Sequence, residues 1–213
     1  QKAKELIESG AIGDILTFKT CFGHSGPETW TVDSDNVWFF DKKLSAFGAM
    51  ADLGVHKTDL IQFLTGQHIE KVNAVLTTLD KKDQDGNLIS VDDNATCIYR
   101  MENGITGTMT VSWTYYGKED NSTILYGTKG IMRIYDDDRY SIVIIGEDTK
   151  TYYELDQIQT NDNQTKSGVI DEWVSCIKEN VSPEISGEEA LYSMKAVFAA
   201  IESSETGKQV TIK

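Results

Sequence analysis

Between residues 71 and 147 the chain is a succession of short β-prone runs broken by brief turns, with helical patterns on either side. KVNAVLTTL (71–79), NATCIYRM (94–101) and ITGTMTVSWTY (105–115) are rich in β-branched and aromatic residues, which suit a pleated, half-buried surface. NSTILYG (121–127), GIMRIYD (130–136) and YSIVIIGE (140–147) continue the series. ENG at 102–104 reads as a tight hairpin and DQDGN at 83–87 as a further turn. DILTFKTCFG (14–23) alternates loosely and adds a strand before them, and QVTIK adds one at the end. Amphipathic patterns predict helices over the opening residues, with Ala3, Leu6 and Ile7 on one face, over 45–65, over 165–180 and over 186–205. The last begins with Ser186 and Glu189, a capping-box pair. Helices around a run of hairpin strands predict an α+β fold: one large, mostly antiparallel open sheet with helices packed on one face. No repeat, linker or low-complexity tract divides the chain, so residues 1–213 read as a single domain.

The bulk properties narrow the function classes. A formal charge of −14 argues against a nucleic-acid surface and against an anionic membrane surface, both of which need clustered Lys and Arg. No apolar run approaches the ~18 residues of a membrane span. Cys21, Cys97 and Cys176 are far apart and odd in number, which suggests reduced thiols in a cytoplasmic protein. There is no G-x-G-x-x-G after a strand and no phosphate-binding G-x-x-x-x-G-K-[ST]. FGHSGP (22–27) approaches a nucleophile elbow, but Pro27 stands where the last glycine belongs. The chain opens in mid-helix with no initiator Met, as a piece of a longer protein does.

Chemistry concentrates in AFGAMADLGVHKTDLIQFLTG (46–66). At 100° per residue, with Asp52 as zero, His56 falls near about +40°, Asp59 near about −20° and Phe63 near about +20°. This acidic–histidine stripe is bordered by Leu53, Leu60 and Leu64, inside the apolar side of the helix, where a surface helix carries no charge. A buried hydrogen-bonded trio, an acid/base pair in a cleft and a metal site all fit that pattern. Asp52, one turn from His56, suits it as orienting partner of a general acid/base. The metal reading needs a third ligand, and nothing places His24 or His68 nearby. Gly48, Ala49, Ala51 and Gly54 weaken the helix and make sense where a strand, a second domain or a flat ring approaches its backbone.

GAIGDILTF followed by NVWFFDKKLSAFGAMADLGVHKTDLIQFLTG resembles the C-terminal domain of the glucose–fructose oxidoreductase / inositol dehydrogenase / MocA family, whose run reads W-x(n)-G-G-G-x-L-x-D-x-G-x-H-x-x-D. GTKGIMRI (127–134) and the closing helix and strand follow the family order. Phe47 departs from it, standing where glycine is usual. The resemblance implies NAD(P)-dependent oxidoreduction of a sugar, an inositol-like polyol or a related carbonyl, with NAD or NADP held by an N-terminal domain that this chain lacks. It implies His56 as the acid/base and Asp52 as its partner. It also implies Asp59 as a structural residue beside them, together with Gly48 and Gly54. Asp35, Asn36 and Trp38, and Trp113 and Tyr115 at a strand end, become candidate substrate contacts. No metal is implied. The partners expected are a small sugar or polyol and further copies of the chain, a homodimer or homotetramer through the sheet face, because Ile142/Ile144 and Val143/Ile145 make one strand apolar on both sides. The other reading is a non-enzymatic binding or oligomerisation module.

Overall fold

The computed structural model describes residues 1–31, 37–155, 168–183 and 186–213. Its strands are β1 (Ile15–Gly23), β2 (Ile69–Thr77), β3 (Asn94–Met101), β4 (Thr106–Ser112), β5 (Thr123–Gly127), β6 (Ile131–Ile134), β7 (Ile142–Ile145), β8 (Lys150–Tyr153) and β9 (Val210–Thr211). They form one sheet in the spatial order β8-β7-β6-β5-β1-β4-β3-β2-β9. Among the described strands only β1 and β4 run parallel; every other pairing is antiparallel. The helices are α1 (Lys2–Glu8), α2 (Lys42–Ser45), α3 (Val55–Thr65), α4 (Val169–Glu179) and α5 (Gly187–Thr206). This is the α+β arrangement that the hairpin pattern predicts.

Period-two alternation sets the two faces of the sheet. Ala95, Cys97, Tyr99 and Met101 of β3 and Met109 and Val111 of β4 point under the helices and are fully buried, while Thr96, Ile98, Arg100, Thr106 and Thr108 face outward and are exposed. Phe18 of β1 joins the buried side by lying over Gly107, where a Cβ would sit 2.4 Å from its ring. From α3, Leu53 just before it, Ile61 and Leu64 close the core, and α5 adds Ala196, Val197 and Ala200. Beyond the short β9, the edge of β2 is satisfied by α5: the Ala74 amide donates to Ser203 Oγ at 3.0 Å and that of Leu76 to Ser204 Oγ at 2.8 Å. An edge strand with its amides occupied is protected from pairing with another chain.

Several boundaries differ from expectation. β4 ends at Ser112, so Trp113 and Tyr115 lie beyond the strand. β8, which carries no strong sequence signal, pairs with β7. The helix expected over 165–180 covers Val169–Glu179, and residues 165–167 lie outside the described ones. Ile142, Val143 and Ile144 are all buried within the single chain. The two-sided apolar strand β7 therefore needs no second subunit to cover it.

The helix expected over 45–65 is broken. α2 ends at Ser45, Ala46 takes a positive φ of 67°, and a wide π turn, Met50–Gly54, leads into α3. Gly48 explains the break, because a Cβ there would lie 1.9 Å from the carbonyl oxygen of Asp92. Of the partners the small residues left open, Gly48 meets the backbone just before β3, and Gly54 meets Met50, the nearest atom to a Cβ there at 2.8 Å.

Candidate active site

The start of the π turn is built by a carboxylate from elsewhere in the chain. Asp92 accepts from the Gly48 amide at 3.1 Å and from the Met50 amide at 2.7 Å, and its own carbonyl accepts from Ala49 at 2.8 Å. It does for these orphan amides what an N-cap side chain does at an ordinary helix start. Burial pushes the Asp92 carboxyl above the usual range, while the amides of Met50 and Gly48 oppose that rise.

The π turn changes which residues face the core. A wide turn spreads its residues at less than 100° each, so the angular stripe assumed for Asp52, His56 and Asp59 does not hold. The inward positions are Leu53, Lys57, Thr58, Ile61, Gln62 and Leu64, whereas His56 and Asp59 are exposed. The acidic–histidine stripe lies at the margin of the buried face, not inside it.

Asp52 is half-buried and accepts from the indole Nε1–H of Trp113 at 3.0 Å. Burial raises its carboxyl above the ordinary value; the Trp113 hydrogen bond, then the charges of His24 and His56, pull it back. No hydrogen bond joins Asp52 to His56 among the described residues; the two act on each other through space. Asp59 accepts from Ser193 Oγ at 2.9 Å and so ties α3 to α5. Phe47 packs its ring on Phe198 of α5, with centroids 5.5 Å apart.

Phe22, at the end of β1, is the meeting point of the site. Its ring lies 6.3 Å from that of His56 and 5.7 Å from that of His24. His24 therefore joins the cluster, contrary to the sequence expectation that nothing places it there. The reason is topological: β1 pairs in parallel with β4, which carries its end to Trp113 and Asp52. Lys57 was also missed. It is buried beneath the site, its Nζ donates to the Asn121 carbonyl at 2.9 Å, and burial depresses it to about 8.

The other candidates divide. Trp113 is fully buried, with Phe39 edge-on to it and Phe40 tilted against it, so it supports Asp52 from behind and offers no surface to a ligand. Tyr115 folds its ring over Gly23 and hydrogen-bonds with Thr110 and Cys21, on the sheet face away from the helices, and so does not join the others. Trp38 is half-exposed and stacks on Phe39 at 4.0 Å, which places it at the rim. Asp35 and Asn36 lie outside the described residues.

Among the described residues no three His, Cys, Asp or Glu side chains form a metal-holding group. A groove of about 730 Å³ runs between α5 and the closing strand, lined by Lys195, Phe198 and Lys208 among others; Asp52 and His56 do not line it. No helix of the described residues is long and apolar enough to cross a membrane.

The family model for the GFO/IDH/MocA C-terminal domain matches residues 1–133. The chain belongs to that family. A GFO/IDH/MocA relative, levoglucosan dehydrogenase of Pseudarthrobacter phenanthrenivorans, is 29% identical over 148 residues, covering 60% of this chain and 37% of the relative. Glucose-fructose oxidoreductase domain-containing protein 1 of Mus musculus is 27% identical over 132 residues, covering 61% of this chain and 33% of the relative. Among solved structures, levoglucosan dehydrogenase in complex with NADH and levoglucosan superposes with a TM-score of 0.80 at 23% identity, covering 99% of this chain and 62% of that one. An oxidoreductase from Agrobacterium radiobacter in complex with NAD+, L-tartaric acid and magnesium gives 0.80 at 24%, covering 100% and 61%. This chain thus spans about a third of those curated relatives and about three fifths of those solved ones.

The described residues do not fit a nicotinamide dinucleotide by themselves. A pyrophosphate is held by free amides at a helix N-terminus. Here the amides leading into α3 are taken by the Asp92 carboxylate, and the first turns of α4 and α5 carry Asp171, Glu172, Glu188 and Glu189. Each of these sites repels a second anion.

Proposed function

We propose that this domain is the substrate-binding and proton-handling half of a cytoplasmic NAD(P)-dependent oxidoreductase acting on a sugar, polyol or related carbonyl. The observation that carries the reading is the Trp113–Asp52 hydrogen bond within a cluster that also brings His24 and His56 around one ring, in a member of the GFO/IDH/MocA family. The nicotinamide belongs to another domain of the same protein. That these relatives are longer, and that α4 leaves Ile170, Trp173 and Ile177 exposed along one face, supports a further domain packed there.

In this reading His56, exposed to an incoming ligand, takes the proton of the reacting hydroxyl. Asp52, held from behind by Trp113, stabilises the imidazolium through space and accepts from a substrate hydroxyl. Asp59, Gly48 and Gly54 keep the helix in place. Trp38, with Asp35 and Asn36 in the neighbouring loop, borders the substrate. Exposed Leu16, Val75 and Ile98 support assembly into a dimer or tetramer through the sheet, and three free cysteines support a reducing compartment.

The test is the full-length protein with NAD+ or NADP+ and a panel of levoglucosan, L-sorbose and myo-inositol, before and after His56→Ala. The expected result is reduced-cofactor formation that falls by about 10²–10⁴-fold in the variant, the usual worth of a general acid/base. Unaltered turnover in the variant would remove His56 from the reaction.

A further inference from the structure

The parallel pair β1–β4 ends at one level, with Gly23 opposite Ser112. The register continues past both ends: the His24 amide donates to the Ser112 carbonyl at 3.0 Å, and the Tyr115 amide to the His24 carbonyl at 3.2 Å. His24 and Trp113 therefore leave adjacent strands side by side at their C-terminal ends. Trp113 turns in to hold Asp52. His24 stays half-buried, edge-on to Phe22, whose ring also meets His56.

The state of the His24 ring is set by its neighbours. The Gly26 amide donates to Nδ1 at 2.9 Å, so the neutral ring carries its proton on Nε2. Burial lowers its pKa first; the charges of Asp52, Glu119 and Glu28 raise it, and Lys81 lowers it. The net fall keeps the ring neutral near pH 7. Beside an acceptor carboxylate and an acid/base imidazole, it is a fixed N–H donor that the proton transfer at His56 does not use.

We propose that His24 is a substrate-binding residue of this site, its Nε2–H donating to the hydroxyl oxygen next to the one that His56 deprotonates. The site then selects vicinal diols: His56 takes the reacting hydroxyl, and His24 and Asp52 supply donor and acceptor to the neighbour. This rests on the oxidoreductase reading above.

The experiment compares cis-1,2-cyclohexanediol with cyclohexanol as probes of the full-length protein, with NAD+ or NADP+. The diol is expected to be preferred in kcat/KM. His24→Phe, which keeps a ring and loses the N–H, lowers that preference about tenfold, the worth of one hydrogen bond. His24→Gln, whose amide restores a donor near the Nε2 position, recovers part of it. A preference left intact by His24→Phe overturns the proposal, as does a loss shared equally by both probes, which would mark a role in folding alone. Turnover of both probes unchanged by His56→Ala removes His56 from the reaction and with it the pairing of His56 and His24 on neighbouring hydroxyls, while no reduced cofactor from any member of the sugar panel overturns the oxidoreductase reading itself. A wild-type protein that oxidises a member of that panel but neither probe overturns the diol proposal alone.

Discussion

The indole N–H of Trp113 donates to Asp52 Oδ2 at 3.0 Å across 61 residues of sequence, and it is the strongest of the contacts that offset the burial of that carboxylate. Because burial wins, the folded state holds the Asp52 proton more tightly than the unfolded chain does. This group's contribution to stability therefore falls as pH rises from the ordinary carboxylate range through the elevated folded value. Trp113→Phe removes the opposing hydrogen bond. The Asp52 midpoint, followed by carboxyl-carbon NMR, is expected to move further up, and stability at pH 7 to drop by about 1–3 kcal/mol. A midpoint that stays in place would show that the indole does not support the charge.

Lys57 gives a slope of opposite sign. Its folded value of about 8 lies below the 10.5 of a free lysine, so between those values the unfolded chain binds more protons. Stability from this group rises with pH through that window. Below it the charged, buried ammonium costs at most about 3 kcal/mol, the free-energy equivalent of the shift. Lys57→Met is expected to flatten the rise between pH 8 and 10 in urea midpoints. Parallel curves for the two proteins would refute the assignment.

Gly48 and Asp92 form a lock whose halves fail differently. Gly48→Ala drives a Cβ into the Asp92 carbonyl, backbone against backbone, and is expected to cost about 3 kcal/mol in thermal or denaturant unfolding. Asp92→Ala leaves the space but frees the amides of Gly48 and Met50. That variant is expected to lose about 1–2 kcal/mol, with faster amide exchange confined to the π turn.

The three thiols should separate by rate. Cys97 is fully buried and its pKa is pushed up to about 12, so the reactive thiolate is scarce. A thiol-reactive dye at pH 8 is expected to label Cys176 first and Cys21 slowly, and Cys97 only after unfolding. Native-state labelling of Cys97 at a matching rate would mean that β3 opens readily.

What the sequence disclosed, it disclosed through periodicity. β3 is legible to the residue because its run of β-branched and aromatic residues is bounded by turn formers and buries Ala95, Cys97, Tyr99 and Met101 at every second position, and α5 because Ser186 caps it by accepting from the Glu189 amide. The motif stretch misled because a helical wheel assumes one pitch, and Gly48 against Asp92 imposes a break that no local propensity reports. His24 was hidden for a different reason. Its strand shows ordinary alternation, and its place beside Asp52 depends on a parallel pairing with β4, which hairpin spacing does not suggest. Lys57 was invisible since a lysine on an exposed-looking helix turn reads as solvent-facing until its carbonyl partner at Asn121 is known.

The parallel pairing of β1 with β4 also bears on the order in which the molecule is made. Thr17 bonds Thr106 across 89 residues, so β1 meets β4 only after α3 and the β2–β3 hairpin have been laid between them. Local hairpins close in microseconds, while a contact this distant waits on a much larger entropic search. His24, Phe22, Asp52 and Trp113 thus come together only once that distant pairing forms, and a peptide that ends before β4 lacks both the strand that positions His24 and the indole that holds Asp52.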